Sequence, residues 1–311
     1  MRTPKPTILL AGKEISSYIG TASGAEDMTP DQVKLLAANT NFFSLKSTKV
    51  EPTAGNPEPR FIHLPFGTMQ SMGLPNIGLP DTLALVRQIY RPGLAIKASI
   101  AGGTLDENRY LMCAFQQSQL SHIEINWSCP NKVGEKIKSN DLDVMDYELG
   151  RLTGLGNIPV GIKLPLYGNL DHISRVADVL KKNGVNFVTL INGVLGMDID
   201  ITTGRMKIKP NGGRGAVAGK YIHYFALLEV YYWYTTLQGT GIDIIGVGGI
   251  DCWEDAYKFL LAGASAVEVG SRLVKDGVDC ISKMNKQFDM YLSGNGNTVD
   301  SIKGTVQQYE D

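Results

Sequence analysis

The residues best equipped for chemistry fall in one heptapeptide, Ile-Asn-Trp-Ser-Cys-Pro-Asn, running from Ile125 to Asn131. Its thiol, Cys129, sits in a polar loop before a proline, where an apolar stretch ends. A thiol acts as a general base once nearby charge or dipoles lower its pKa. In that role it takes a proton from one carbon while hydride leaves from the next. Asn126 and Asn131 flank it, and carboxamides hold a planar amide or imide ligand through paired donor and acceptor contacts. A lone buried cysteine is ordinarily inert packing, and that reading is given to Cys113, Cys252 and Cys280, which fall in helical segments.

Two lysines and two glycine-rich turns form a second set. Lys46 ends "FFSLKS" and Lys163 ends "VGIKL", both otherwise suited to burial. A buried ammonium is costly without an anion or electron-rich partner. For each lysine the simpler alternative is a salt bridge to a neighbouring carboxylate. "GVGGI" (Gly246–Ile250) and "VEVGS" (Val267–Ser271) end in small residues ahead of helices, where backbone N–H groups can cradle a phosphate. Two lysines beside a phosphate site point to a cofactor that gains negative charge during reaction. A reduced flavin does so at its pyrimidine end.

These residues need a scaffold that gathers them. Eight short β-rich runs predict strands buried on both faces, as in a parallel sheet: Tyr18–Ala22, Phe42–Ser47, Leu94–Ile100, Ile123–Ser128, Val160–Leu166, Phe187–Asn192, Ile244–Gly248 and Ala266–Ser271. Helical patterns separate them. Thr29-Pro30-Asp31 is an N-cap, a proline at the first position and an acid in the first turn. Further helices are expected from Thr104, from Asp171 to a C-terminal Gly184, and from Asp251 to Gly263. Eight βα alternations have one dominant solution, the (β/α)8 TIM barrel, here an α/β single domain over residues 1–311. No GxGxxG follows the first strand, which weakens a doubly wound sheet. The Pro/Gly-rich segment 49–80, the hairpin pattern at 194–218 and the long loop 129–140 follow strand ends, so they belong over the C-terminal face. That face would collect Ser23-Gly24, Lys46-Ser47, Asn126 with Cys129, Lys163, Asn192-Gly193, Gly248-Gly249 and Gly270-Ser271.

Bulk properties exclude several other classes. The 311 residues are 43% apolar and 20% charged with net charge −1, so neither nucleic acid nor anionic membrane is an expected partner. No apolar run is long enough for a membrane span, and the N-terminus lacks a signal-peptide core. Four scattered cysteines without a CxxC pair suit a reduced, cytoplasmic protein without a zinc site. The histidines His63, His122, His172 and His223 are read as surface or helix residues, and no metal is expected.

"INWSCPN", "GNPEPR" (Gly55–Arg60), "SMGLPN" (Ser71–Asn76), "GIKLP" (Gly161–Pro165) and "LAGASAVEVGS" together resemble the dihydroorotate dehydrogenases across nearly the whole chain. A cysteine rather than a serine in the loop matches the soluble class 1A type. The resemblance implies a homodimeric FMN enzyme of pyrimidine synthesis that oxidises (S)-dihydroorotate to orotate and passes electrons to fumarate. Carried over by motif, Cys129 matches the catalytic base, and Lys46 the lysine touching both flavin and substrate. Asn126, Asn131 and Asn192 match substrate amide contacts, joined by the backbone of Met72, Gly73 and Leu74. Ala22, Ser23, Gly24, Ser47, Asn126, Lys163, Asn192, Gly219, Gly248, Gly249, Gly270 and Ser271 match the flavin site. Arg60 matches an arginine beside the active-site loop.

Several positions depart from the family pattern. Gln70 replaces an Asn and is one methylene longer, so it should crowd the substrate or force a shift. Gly193 replaces a Ser, Trp127 a Leu, and Ala216 and Ala218 stand in a turn usually richer in Gly. Gln70 and Gly193 open an alternative, a related FMN oxidoreductase acting on another cyclic amide or enone. A flavin-free barrel lyase using a lysine Schiff base and a non-enzymatic homologue are more distant alternatives. Pro130–Asn140 is expected to act as a lid, and the aromatic run Tyr231–Tyr234 to serve packing or a subunit contact.

Overall fold

The computed structural model describes residues 7–24, 29–130 and 137–309. The chain opens with an antiparallel hairpin of β1 (Ile8–Leu10) and β2 (Lys13–Ile15), turned at Ala11 and Gly12 with φ of 49° and 77°. β3 (Ile19–Thr21) and β4 (Phe42–Thr48) start the central sheet, and β5 (Phe61–Leu64) and β6 (Gly67–Gln70) leave it. β7 (Ala95–Ile100), β8 (His122–Asn126), β9 (Val160–Leu164) and β10 (Phe187–Leu190) return to it. β11 (Val194–Met197) and β12 (Arg214–Gly219) leave again, before β13 (Asp243–Val247) and β14 (Ala266–Val269) complete it.

The eight central strands are parallel in the order β3-β14-β13-β10-β9-β8-β7-β4, the expected (β/α)8 barrel. Each expected strand is present, with ends shifted by a few residues. The ring closes where β3 meets β4: the Ser44 N–H donates to Thr21 Oγ1 (3.1 Å). That approach needs Gly20, because a Cβ there would lie 2.4 Å from the Phe42 ring and 2.8 Å from its carbonyl.

The helices start where their caps dictate. Thr29 and Thr104 each form a capping box, with Gln32 and Glu107. The helix Leu170–Lys182 is capped by Asn169 and ends before Gly184 at φ 66°. The helix expected from Asp251 begins instead at Trp253. Asp255 reaches back to accept the Asp251 N–H (3.0 Å) and the Cys252 thiol (3.3 Å), which holds both residues outside the helix. Cys252 is therefore a cap residue and not helical.

β11, β12, β6 and β5 form a separate antiparallel sheet. It carries the two inserted segments over the C-terminal end of the barrel. The Thr-Gly turn of the hairpin is present: Asp200 N–H donates to Arg205 O, and Gly204 N–H to Asp200 O, both 2.8 Å. At the opposite end the β1–β2 hairpin is pinned to strand starts. His122 Nε2–H donates to Leu10 O (2.9 Å), and Ala11 N–H donates to Asp243 Oδ2 (2.7 Å). His122 is thus neither a surface nor a helical residue. It starts a strand and is wholly buried, and burial pushes its pKa down to about 4. Tyr231–Tyr234 lie in the helix His223–Thr236, where Trp233 is fully buried and its indole N–H donates to Glu229. The run serves packing.

Candidate active site

At the C-terminal end of the barrel lies a cleft enclosing about 630 Å³, open mouth included. It is lined by Ala22, Ser23 and Gly24 after β3, Lys163 on β9, Asn192 and Gly193 after β10, Gly248 and Gly249 after β13, and Gly270 and Ser271 after β14. The cap sheet supplies its far wall through Thr68, Gln70, Ala216, Ala218 and Gly219. Most of the residues assigned to a cofactor therefore converge.

The glycines here answer to close backbone approach. Gly249 has φ 63°, and a Cβ on it would meet Gly219 O at 2.6 Å and His223 Cβ at 2.8 Å. A side chain there would push the cap sheet off the strand end. His223 Nδ1–H donates to Gly249 O (3.1 Å), and Lys220 pairs with the buried Asp255. The glycine turn is thus tied from both sides.

Ser47 and Asn126 stand behind the cleft lining, linked to it by amides. Asn126 Nδ2 donates to Ser47 Oγ (2.9 Å), which lies 2.9 Å from Ser99 Oγ. Asn192 Nδ2 donates to Asn126 Oδ1 (3.2 Å) and Ser128 Oγ (3.1 Å), and the Ser128 hydroxyl donates to Lys163 O (2.7 Å). Gly193 N–H donates to Asn192 Oδ1 (3.0 Å). One Asn126 N–H and one Asn192 Oδ1 lone pair remain for a ligand. Cys129 follows Ser128 directly and is half-buried. Lys46 lines an adjoining apolar pocket with Leu45, Pro75 and Ile77, and its Cγ lies 3.8 Å from where a Gly24 side chain would start. Asn131 and residues 131–136 of the expected lid lie outside the described residues. At the far end of that loop, Tyr167 Oη–H donates to Ser139 O (2.5 Å) and Lys138 pairs with Glu148 (2.8 Å).

The backbone of Met72, Gly73 and Leu74 is held in an unusual shape. Gly73 has φ 74° and Leu74, a residue with a side chain, φ 59°. Such backbone persists only where its surroundings fix it. Asn56 donates to Met72 O (2.8 Å) and Ser71 O (2.9 Å), while Arg60 donates to Asn56 O (2.9 Å) and Ala54 O (2.5 Å). Arg60 therefore braces the loop that braces Met72–Leu74.

The departures from the family pattern meet in one wall. Gln70 lines the cleft, and its Oε1 folds back to accept the Met72 N–H (3.0 Å). Gln70 pairs with Ala216 across the β6–β12 ladder. A Cβ on Gly193 would sit 2.8 Å from Ala216 Cβ, so the methyl at 216 occupies the space that the missing side chain at 193 leaves. Ala216 and Ala218 are extended strand residues and demand no left-handed backbone. Trp127 is buried behind the loop, with the Lys138 ammonium 5.8 Å from its ring.

Three residues escaped the sequence reading. Lys97, Glu124 and Glu268 project into the barrel below the cleft, all fully buried. Lys97 Nζ lies 2.5 Å from Glu124 and 2.6 Å from Glu268. The available signal was a single charge inside each of three apolar strand runs. Of the other cysteines, Cys113 is exposed on the helix Leu105–Gln116 and not packed in the core, while burial pushes Cys252 and Cys280 up to about 11, which leaves both thiols protonated. Among the described residues no cluster of His, Cys, Asp or Glu could hold a metal ion.

Comparison with known proteins gives a consistent result. A family model described as dihydroorotate dehydrogenase matches residues 7–292. The chain is 36% identical over 292 residues to dihydroorotate dehydrogenase (fumarate) of Saccharomyces bayanus, covering 92% of this chain and 93% of that protein. It is 33% identical to dihydroorotate dehydrogenase A (fumarate) of Lactococcus lactis subsp. lactis, covering 92% and 94%. The fold matches a crystal structure of dihydroorotate dehydrogenase from Eimeria tenella in complex with ferulenol, with a TM-score of 0.81 at 18% identity, covering 97% of this chain and 88% of that one.

Proposed function

Because the chain belongs to the dihydroorotate dehydrogenase family, we infer that it oxidises (S)-dihydroorotate to orotate in pyrimidine biosynthesis and passes the electrons to fumarate. The relatives share this activity in their names, and they do not favour the alternative of another cyclic amide or enone. The observation that carries the reading is the convergence of Ser23, Lys163, Asn192, Gly248-Gly249 and Gly270-Ser271, from five strand ends, on one cleft.

The family is flavin-dependent, and the residues present fit FMN. The glycine cradle at Gly219 and Gly249 leaves backbone bare where any Cβ would collide, and Ser271 adds a hydroxyl donor. Gly248, Gly249, Gly270 and Ser271 would hold the phosphate, and Lys163 and Lys46 the pyrimidine end of the ring system. Bound there, FMN would supply the hydride acceptor. Cys129 takes the C5 proton of dihydroorotate. Asn126 and Asn192 orient the substrate's amides with the donor and acceptor their mutual hydrogen bonds leave available. Gln70, Gly193 and the backbone of Met72–Leu74 complete the substrate wall, and Asn131 is proposed as a further substrate contact. The braced Met72–Leu74 loop keeps that wall from rearranging when the substrate enters.

A homodimer fits the cap sheet. Leu195, Met197, Ile199, Ile201 and Met206 of the hairpin are all exposed, Ile201 at 98%, and a second copy would cover them. No helix among the described residues is long and apolar enough to cross a membrane, and a cytoplasmic site is the reading adopted. The test is an absorption spectrum of the purified protein followed by turnover with dihydroorotate and fumarate. Yellow protein that oxidises dihydroorotate is expected. Flavin-loaded protein that fails to oxidise dihydroorotate with any acceptor would overturn the reading.

A further inference from the structure

Lys97, Glu124 and Glu268 have no part in the proposed reaction, yet they occupy the centre of the barrel. Two carboxylates there face one ammonium. Ser44 Oγ donates to Glu268 Oε1 (2.7 Å), while Glu268 Oε2 has no hydrogen-bond partner among the described residues. Apolar side chains of similar volume would fill this space at no loss of stability, since buried ion pairs at best break even against desolvation. A second positive charge comes from Lys163: Glu124 pairs with Gly161 on the neighbouring strand, and Lys163 follows two residues on, on the same face. Burial pushes the Glu124 carboxyl up, but Lys97 and then Lys163 outweigh it and leave it below the usual carboxylate range. Glu124 Oε1 also accepts from Ser23 Oγ (3.3 Å). Ser23 and Lys163 both line the cleft. Glu124 is therefore joined to the cleft floor, whereas the partners of Glu268, Lys97 and Ser44, both lie inside the barrel.

We propose that Glu124, anchored by Lys97, is a positioning residue that offsets the charge of Lys163 and so sets how strongly the cleft favours the reduced form of a bound flavin. The proposal rests on the flavin reading above. Two-electron reduction with uptake of one proton leaves a flavin with one added negative charge. Lys163 favours that form, and Glu124 weakens the preference. Glu268 carries the same charge, but its partners Lys97 and Ser44 do not line the cleft, so it acts in the same sense and more weakly.

The test is the equilibrium between bound flavin and a reference redox dye in the flavin-loaded parent, Glu124→Gln and Glu268→Gln proteins. Glu124→Gln should raise the ratio of reduced to oxidised flavin about tenfold at a given dye poise, which is about 30 mV for a two-electron couple. Glu268→Gln should raise it by a smaller factor. A role confined to packing would change unfolding temperature and leave these ratios alone. Ratios within twofold of the parent in both variants, or a larger shift in Glu268→Gln than in Glu124→Gln, would overturn the proposal. If Glu124→Gln does not fold, the Glu268→Gln ratio decides, and no rise overturns it. Protein that holds no flavin would overturn this proposal together with the functional reading. Protein that holds flavin but ignores dihydroorotate would overturn that reading alone, and the dye equilibrium would still judge the triad.

Discussion

In the proposed reaction Cys129 is the residue on which proton removal would depend, and its neighbours would not share that task. Ser128 and Asn192 are occupied with Lys163 O and Asn126, so no second base stands ready in that network. Cys129→Ala should keep the flavin spectrum and lose about 10²–10⁴-fold in turnover, the usual contribution of a general base, as steady-state assay would measure. His122 carries a different prediction. Its folded pKa of about 4 lies below the unfolded value near 6.5. Between those values the unfolded chain binds the extra proton, so stability is complete above pH 6.5 and declines as pH falls toward 4. The loss should be on the order of 3 kcal/mol by denaturant titration, and His122→Gln should flatten that slope.

At the scale of elements, the cap sheet is where this chain has its own character. Gly193 and Ala216 divide one space between two strands that the hairpin brings together. Gly193→Ser alone should destabilise by about 1–3 kcal/mol, the usual cost of overpacking, and adding Ala216→Gly should recover most of it, as a double-mutant cycle would show. The barrel strands were legible in the sequence because each is an apolar run too short for a helix. β5 and β6 were not, because "FIHL" and "GTMQ" carry little alternation and acquire meaning only from pairing with each other, whereas β12 falls in the return arm of the hairpin expected at 194–218. The N-terminal hairpin also went unread: three-residue strands offer too few positions for a period to emerge. Strand-end residues such as Ser23, Lys163 and Gly249 were legible since barrel geometry alone sends them to one face. The Lys97 triad was not, because one charge in an apolar run reads as a defect until three of them are seen to meet. Gln70 shows the converse. Its extra methylene was visible, but the fold-back to Met72 depends on where β6 ends and could not be anticipated.

For the whole molecule, the exposed apolar hairpin is the feature that a lone barrel leaves unexplained. A second copy set against it would bury Ile201 and Met197 and leave the cleft of each protomer complete. If the protein pairs through this hairpin as proposed, the parent should sediment as a dimer and Ile201→Asp as a monomer in analytical ultracentrifugation, with flavin content unchanged.

The β1–β2 hairpin, fastened at Leu10 and Ala11, stoppers the far end of the barrel, and the Lys97 triad fills its axis. Among the described residues the way to the barrel's interior is then the cleft at its C-terminal end. On the proposed function, electron donor and electron acceptor would come and go through it by turns, and a surplus of either would keep the other waiting outside. Throughput would then follow the ratio of the two metabolites, with neither able to drive the cycle alone.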